Sequence, residues 1–448
     1  MTTGQFGLVS SIFTLGGLLG ALLAGPLASR YGRFYTMLGA TVFNVAGPVL
    51  EALAPNIATL TVGRLISGIG AGAALVAVPL YISEIAPPKE KGFFGAFTQI
   101  ATNFGIFTTE LLGLFLSKGN LWRIILAVAG VFGIAQAAGL LLGGQESPKW
   151  MADNGHPAQA KRILRKIRGH KADVDSEVKG WGLESAEDLE GEEESLLDNE
   201  DHMPAGHPNE SSNTHGVGDR TKKAAKSASK EVLGPLAVLT HPESRDAVIA
   251  VAVIMVGQQL CGINSIVMYG VGLLSDLLEA NSAILNVAVA VLNMIVTTAC
   301  APLPDKIGRK TCLLLSTAGM GISSLLLGIG ISRHITILSA VAVLTFVASF
   351  GVGLGPIPFI LSSELVGAEA VGSTQSWALA ANWIATFVVA QFFPIVNEKL
   401  GGGKVYFIFA AFALAFGGFT LWWVPETKGK ANADEVWGRT KSGSQRED

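Results

Sequence analysis

SRYGRF (Ser29–Phe34) closes one long apolar run and opens the next, and PDKIGRK (Pro304–Lys310) holds the same place between two runs in the second half of the chain. Each is followed by two further motifs in the same order. After the first come SEIAPPKEKG (Ser83–Gly92) and QESPKWM (Gln145–Met151). After the second come SELVGAEAVG (Ser363–Gly372) and PETKGK (Pro425–Lys430). Arg33 and Glu84 lie 51 positions apart, and Arg309 and Glu364 lie 55 apart; Glu84 to Glu146 and Glu364 to Glu426 are both 62. Self-similarity over so long a period means that a unit of several helices occurs twice.

Composition places those units in a bilayer. The 448 residues are 50% hydrophobic and 15% charged, against about 25% charged in a soluble domain. Eleven apolar runs reach the ~20 residues needed to cross the hydrocarbon: 6–29, 34–54, 58–82, 93–117, 122–143, 245–274, 283–303, 312–331, 335–361, 371–397 and 404–424. The net charge of −3 gives no basis for a nucleic-acid partner. Cys261, Cys300 and Cys312 fit neither a disulfide framework nor a zinc site. The expected fold is an all-α membrane protein of two pseudo-repeated helical bundles, the architecture of secondary carriers. Its parts are a first bundle at 1–143, a cytoplasmic loop at 144–244, a second bundle at 245–424 and a cytoplasmic tail at 425–448.

The two copies differ at one point. A span precedes the one that ends in PDKIGRK, whereas none precedes the one that ends in SRYGRF. The repeat thus predicts six spans per half and a first bundle one helix short, eleven spans of twelve. Arg30, Arg33, Lys89, Lys91, Lys306, Arg309 and Lys310 all fall in the motif loops, which predicts that this face is cytoplasmic.

Within the central loop, Pro157–Gly169 has the spacing of a short amphipathic helix. Residues from about 175 to 230, acidic and then basic with few aromatics, read as disordered. Glu192 ahead of Leu196-Leu197 has the form of an acidic dileucine signal for a sorting adaptor; the alternative is a plain solvated linker.

Polar side chains inside the spans carry the functional reading. GQQLCGINSIVMYG (Gly257–Gly270) sets Gln258, Gln259, Asn264 and Tyr269 on one side of a helix. An unpaired amide in an apolar medium costs several kcal/mol, so these groups line a polar cavity or bond between helices. Amides both donate and accept, which matches an uncharged solute rich in hydroxyls. Gln99 with Asn103, Asn286 with Asn293, and Asn382-Trp383 follow the same pattern in other spans. GVGLGPIPF (Gly351–Phe359) is broken by Pro356 and Pro358, and interrupted helices mark sites and hinges in carriers. The rings of Phe359 and Trp383 can cover the C–H face of a sugar, or simply pack.

The charges at helix ends form a second set. Arg33, Glu84, Lys91 and Glu146 in one half, and Asp305, Arg309, Glu364 and Glu426 in the other, are read as a cytoplasmic gate that locks by ion pairing, against mere topological anchoring. Arg64 and Glu110 lie deepest in apolar runs and each needs a partner or water. No metal-ligand cluster, nucleophile elbow or phosphate loop is present, so neither an enzyme nor a cofactor is expected.

These strings together identify a resemblance. VPLYISEIAPPKEKG (78–92), ESPKW (146–150), QQLCGIN (258–264), DKIGRK (305–310), GLGPIPF (353–359), Asn382-Trp383 and PETKG (425–429) resemble the sugar porter family of the major facilitator superfamily, and the termini look most like a fungal, vacuolar-type branch. The resemblance implies the major facilitator fold, transport of a monosaccharide by alternating access, and a vacuolar or plasma membrane location. Sugar contacts would then be Gln99, Gln258, Gln259, Asn264, Asn293, Phe359, Asn382 and Trp383. Two departures stand out: Phe359 replaces the family's usual Trp, and Ser29 replaces its usual Asp. In proton-coupled members an acid on the first helix pairs with an Arg at the position of Arg64, so uniport and proton symport both stay open. The other functional readings are a sugar sensor that does not transport and an inactive truncated carrier.

Overall fold

The computed structural model describes residues 3–169, 174–179, 234–267, 282–367, 369–401, 403–430 and 433–439. In the first half the elements are α1 (Thr3–Tyr31), α2 (Arg33–Leu53), α3 (Ile57–Ile85), the short α4 (Lys91–Gly95), α5 (Phe97–Leu116) and α6 (Trp122–Gly143). Three short helices follow: α7 (Pro148–Asp153), α8 (Pro157–Arg168) and α9 (Val174–Lys179). The second half comprises α10 (Ala237–Thr240), α11 (Pro242–Leu260), α12 (Ile263–Ser265), α13 (Ser282–Cys300), α14 (Leu303–Ile307) and α15 (Arg309–Ser332). It continues through α16 (Thr336–Val352), α17 (Ile357–Glu364), α18 (Val371–Leu400), α19 (Val405–Trp423) and α20 (Ala433–Val436).

Among the described residues, ten helices are long and apolar enough to cross a membrane. The expected span at 93–117 folds as α4 and α5; α5 has a spanning length of 20 residues, but Gln99, Asn103 and Glu110 dilute its apolar character. The span expected at 335–361 is indeed broken. α16 stops at Val352, a non-helical segment follows, and α17 starts behind Pro356. Each half is knit by its own contacts, α1 and α2 on α3 in the first, α15 on α16 and α19 in the second. The halves meet along α1 with α18 and along α5 with α13, two interfaces that the repeat relates to each other.

The halves are not equivalent around α11. Gly257 of α11 and Gly262, which leads into α12, sit against the rings of Phe416 and Phe409 on α19, where a Cβ would lie 2.6 Å and 2.7 Å from ring carbons. The Glu146–Glu426 offset maps those two phenylalanines onto Gln136 and Ala129 of α6. Both line a cavity of about 260 Å³, with Phe13, Asn44, Pro48, Ser67, Phe132 and Gly133.

The helix expected at 157–169 is α8, and it buries Ala160 and Leu164. Disorder expected from about residue 175 is corrected at its start. Val174 and Val178 of α9 bury on Leu164, and Glu177 takes both Nε and Nη2 of Arg168 at 3.1 Å and 2.8 Å. Apolar residues four apart on an otherwise polar helix are enough to dock it. The dileucine at Glu192, Leu196 and Leu197, and Tyr269, lie outside the described residues.

Candidate functional site

Two amide networks converge on the break between α16 and α17. The first joins α11 to α18. Gln258 donates Nε2 to the Leu354 carbonyl at 2.5 Å. Its Oε1 accepts from Asn382 Nδ2 at 2.8 Å and from Gln259 Nε2 at 3.3 Å. Gln259 also donates to Asn382 Oδ1 at 3.3 Å and accepts from Asn264 Nδ2 at 2.6 Å. The Leu354 carbonyl is available because the prolines interrupt the helix there. The second network joins α5 to α13. Gln99 donates to Asn103 Oδ1 at 2.9 Å, Asn293 donates to the same oxygen at 3.2 Å, and Asn103 donates to Thr297 Oγ1 at 3.0 Å. A Cβ on Gly355 would lie 3.2 Å from Gln99 Cγ, and one on Gly351 would lie 3.2 Å from Asn293 Oδ1. The broken segment therefore sits between the networks, and glycine at both positions lets its backbone approach them.

Six of the eight sequence-predicted contacts, all but Phe359 and Trp383, thus gather around one break. The amides face one another: Gln258 and Gln259 are 5% and 6% exposed, while Asn264 and Asn382 keep partial access. A hydroxyl could reach these amides only in exchange for amide–amide bonds. Trp383 is different, because its Nε1 is buried with no hydrogen-bond partner. Its ring packs edge-on to Phe13 at 6.0 Å and lies against Gly17 of α1, where a Cβ would be 2.6 Å from it. Phe359 stands apart on α17, half-buried against the core. Asn103 and Thr297 complete the second network; Thr297, one of two adjacent threonines in an apolar run, gives no sequence signal.

The charge motifs fold into two copies of one cluster. Arg33 binds Glu84 bidentately at 2.9 Å and 2.7 Å and donates Nη1 to the Ala28 carbonyl at 2.9 Å. Arg309 binds Glu364 at 3.2 Å and 3.0 Å and donates Nη1 to the Pro304 carbonyl at 3.1 Å. Glu146 accepts from the backbone N–H of Arg33 at 2.9 Å and of Phe34 at 3.1 Å; Glu426 does the same for Arg309 at 2.8 Å and Lys310 at 3.1 Å. Each glutamate thus supplies the acceptors that the start of α2 or α15 lacks. Gly32 (φ 99) and Gly308 (φ 100) precede those helices, and a Cβ on either would collide with the capping carboxylate. Glycine is needed there for backbone conformation and for space.

One of the charge-motif side chains reaches across to the other half. Asp305, 2.9 Å from Arg309 Nη2, accepts from the backbone N–H of Gly92 at 3.1 Å and Phe93 at 2.8 Å, at the head of α4. The repeat places Ser29 against Gly372 in the mirror position, and Ser29 Oγ is 2.5 Å from where a Gly372 Cβ would stand. Lys91 makes no ion pair among the described residues; burial, then the Lys149 charge, lowers its pKa.

Arg64 has a partner that the sequence did not reveal. Its Nε is 3.4 Å from Glu51 Oε2, and Glu51 Oε1 accepts from the Ser67 hydroxyl at 2.5 Å. Glu51 is 2% exposed. Burial raises the pKa of Glu146, opposed by the N–H groups of Ser147, Phe34 and Arg33 and by the Arg33 charge. The folded chain therefore holds this proton more tightly than the unfolded chain. The stabilisation is complete below the ordinary value of 4.5 and is lost as pH rises through the higher folded value. Melting temperatures of Glu146→Gln should consequently rise less on acidification from pH 7 towards 4.5 than those of the unsubstituted chain; parallel profiles would contradict this.

The chain is matched by the sequence profile of the sugar (and other) transporter family over residues 2–202 and 208–436. A Saccharomyces cerevisiae protein described as "Probable metabolite transport protein" is 34% identical over 98% of this chain and 83% of its own length. The rat facilitated glucose transporter member 2 of solute carrier family 2 is 28% identical over 99% of this chain and 79% of its own length. In fold, the chain is similar to the major facilitator proton:xylose symporter XylE bound to 6-bromo-6-deoxy-D-glucose. The TM-score is 0.76, with 24% identity over 97% of this chain and 89% of that one. With its all-α fold and its spans, the chain is a multi-pass membrane protein and belongs to the sugar porter family of the major facilitator superfamily, whose members are transporters and not enzymes.

Proposed function

We propose that this protein carries a hexose-like monosaccharide across the vacuolar or plasma membrane by alternating access. The observation that carries the reading is the convergence of both amide networks on the α16–α17 break, one within the second half and one that crosses from α5 to α13. Motion of one half against the other must break or remake the α5–α13 bonds, and hydroxyls can replace amides as partners. The motif face is cytoplasmic in this reading, with residues 144–244 a cytoplasmic loop between the bundles. The paired Arg–Glu clusters and the Asp305 cap form the cytoplasmic gate.

Uptake of radiolabelled glucose by vesicles containing the full chain tests the proposal. Gln259→Ala should reduce it about tenfold or more, since three hydrogen bonds of ~1 kcal/mol are lost, and Asn264→Ala about fivefold, since one is lost; unchanged uptake in both would remove the assigned site. The cavity beside Gln136 favours one second reading, a carrier inactive in this form. Absence of uptake from a chain that melts cooperatively would select it. Glu51 is the buried acid beside Arg64, so if uptake follows a proton gradient, Glu51→Gln should abolish that dependence.

The Ser29 position offers a separate check of the gate. Ser29→Asp should give α18 the cap that Asp305 gives α4. A cap contributes about 1 kcal/mol, so the cytoplasm-closed state should gain roughly fivefold. Labelling of a cysteine placed on the cytoplasmic path should slow accordingly; faster labelling would contradict the assignment.

A further inference from the structure

Gln375 is an amide that neither network uses. It lies in the second turn of α18, is 0% exposed, and both Nε2 and Oε1 are buried without a hydrogen-bond partner. Buried side-chain amides are nearly always paired, so an orphan of this kind asks for a state in which its partner is present. Thr374 Oγ1 beside it is orphaned as well.

Position says what that partner is. Asn382 follows Gln375 by seven residues, so the two occupy nearly one face of α18, about 10 Å apart along the axis. Asn382 points at Gln258 and Gln259 of α11. Gln375 therefore lies between the amide site and the motif face, where Gly372 of the same helix meets Ser29 and Gly25 of α1 and Ser376 Oγ accepts from the Gly25 N–H at 3.1 Å. These contacts close the path below Gln375. When the halves part at the motif face, the amide is uncovered.

We propose that Gln375 is a second sugar-binding residue on the cytoplasmic side of the site, which takes two neighbouring hydroxyls of the solute after the gate opens. A carboxamide with both ends free is the group that pairs a vicinal diol, donating to one oxygen and accepting from the other hydroxyl. This inference rests on the alternating-access reading above. It adds a contact that belongs to one state only, so the two faces of the carrier bind the same sugar with different strength.

The test uses the full chain in proteoliposomes with radiolabelled glucose. Gln375→Leu keeps the volume and removes both polar ends. The ratio of the exit KM to the entry KM should rise at least fivefold. An unchanged ratio, or equal rises at both faces, would overturn the assignment. Labelling of Gln375→Cys gives a readout that needs no net transport: a small impermeant thiol reagent should react from the cytoplasmic face and be slowed by glucose. Failure to react, or reaction indifferent to glucose, also overturns it. If the unsubstituted chain moves no glucose yet the thiol at this position is protected by it, the transport reading falls and the contact stands.

Discussion

Arg309→Met should leave the protein able to fold but trapped with its cytoplasmic side open, and sugar uptake should fall by roughly two to three orders of magnitude. The side chain of Arg309 is 6% exposed and serves two carboxylates, Glu364 and Asp305. Glu364 also receives the Thr427 hydroxyl at 2.5 Å, so it has no freedom to turn to water. Asp305 is the acceptor for the start of α4 in the other half. Removal of one partner from a buried ion pair costs about 3–5 kcal/mol because the remaining charge is uncompensated. At about 1.4 kcal/mol per tenfold, that is two to three and a half orders of magnitude in an equilibrium. The loss falls chiefly on the closed state, since the Asp305 contact exists only where the halves touch on this face.

Arg33→Met provides the control. Its cluster has the same bidentate pair and the same capped glycine, but Ser29 stands where an acid would reach the other half. It should destabilise the first half as much as Arg309→Met destabilises the second, yet shift the open–closed balance less. Equal accessibility of the cytoplasmic path in both variants would falsify the claim that Asp305 gives its cluster a hold on the other half that the Arg33 cluster lacks.

The duplicated clusters were legible because both partners of each pair sit inside long, distinctive motifs at matching intervals. The broken helix was legible from Pro356 and Pro358, and the amides from their rarity in apolar runs. What stayed hidden depends on the relative register of helices. Glu51 reads as a helix-end acid in the run GPVLEAL; only the packing of α2 on α3 sets it beside Arg64 and Ser67. Thr297 is an ordinary hydroxyl until Asn103 is placed 3.0 Å away by the α5–α13 contact. The Leu354 carbonyl has no side-chain signal. The docking of α9 escaped because two valines are too weak a pattern to outweigh an acidic neighbourhood.

Gln258→Leu should have the largest effect within the site itself. Gln258 hydrogen-bonds the backbone of the broken helix at Leu354, and it also receives Asn382 and Gln259. The leucine would leave the Leu354 carbonyl and two amide N–H groups without that partner, each worth about 1–3 kcal/mol when buried and unsatisfied. Asn382 retains the Met255 carbonyl at 3.1 Å, and Gln259 retains Asn382, so the sum is partly recovered. The variant should therefore melt several degrees lower and lose glucose uptake by a hundredfold or more. Asn264→Ala separates the two effects. Asn264 is partly exposed and is held by a single side-chain bond to Gln259, so its loss should lower uptake while barely moving the melting temperature. If Gln258→Leu lowered stability while glucose still protected the fold as strongly as before, Gln258 would be a tie for the α16–α17 break, and sugar recognition would have to rest on the other assigned residues, Gln99, Gln259, Asn264, Asn293, Asn382 and Trp383.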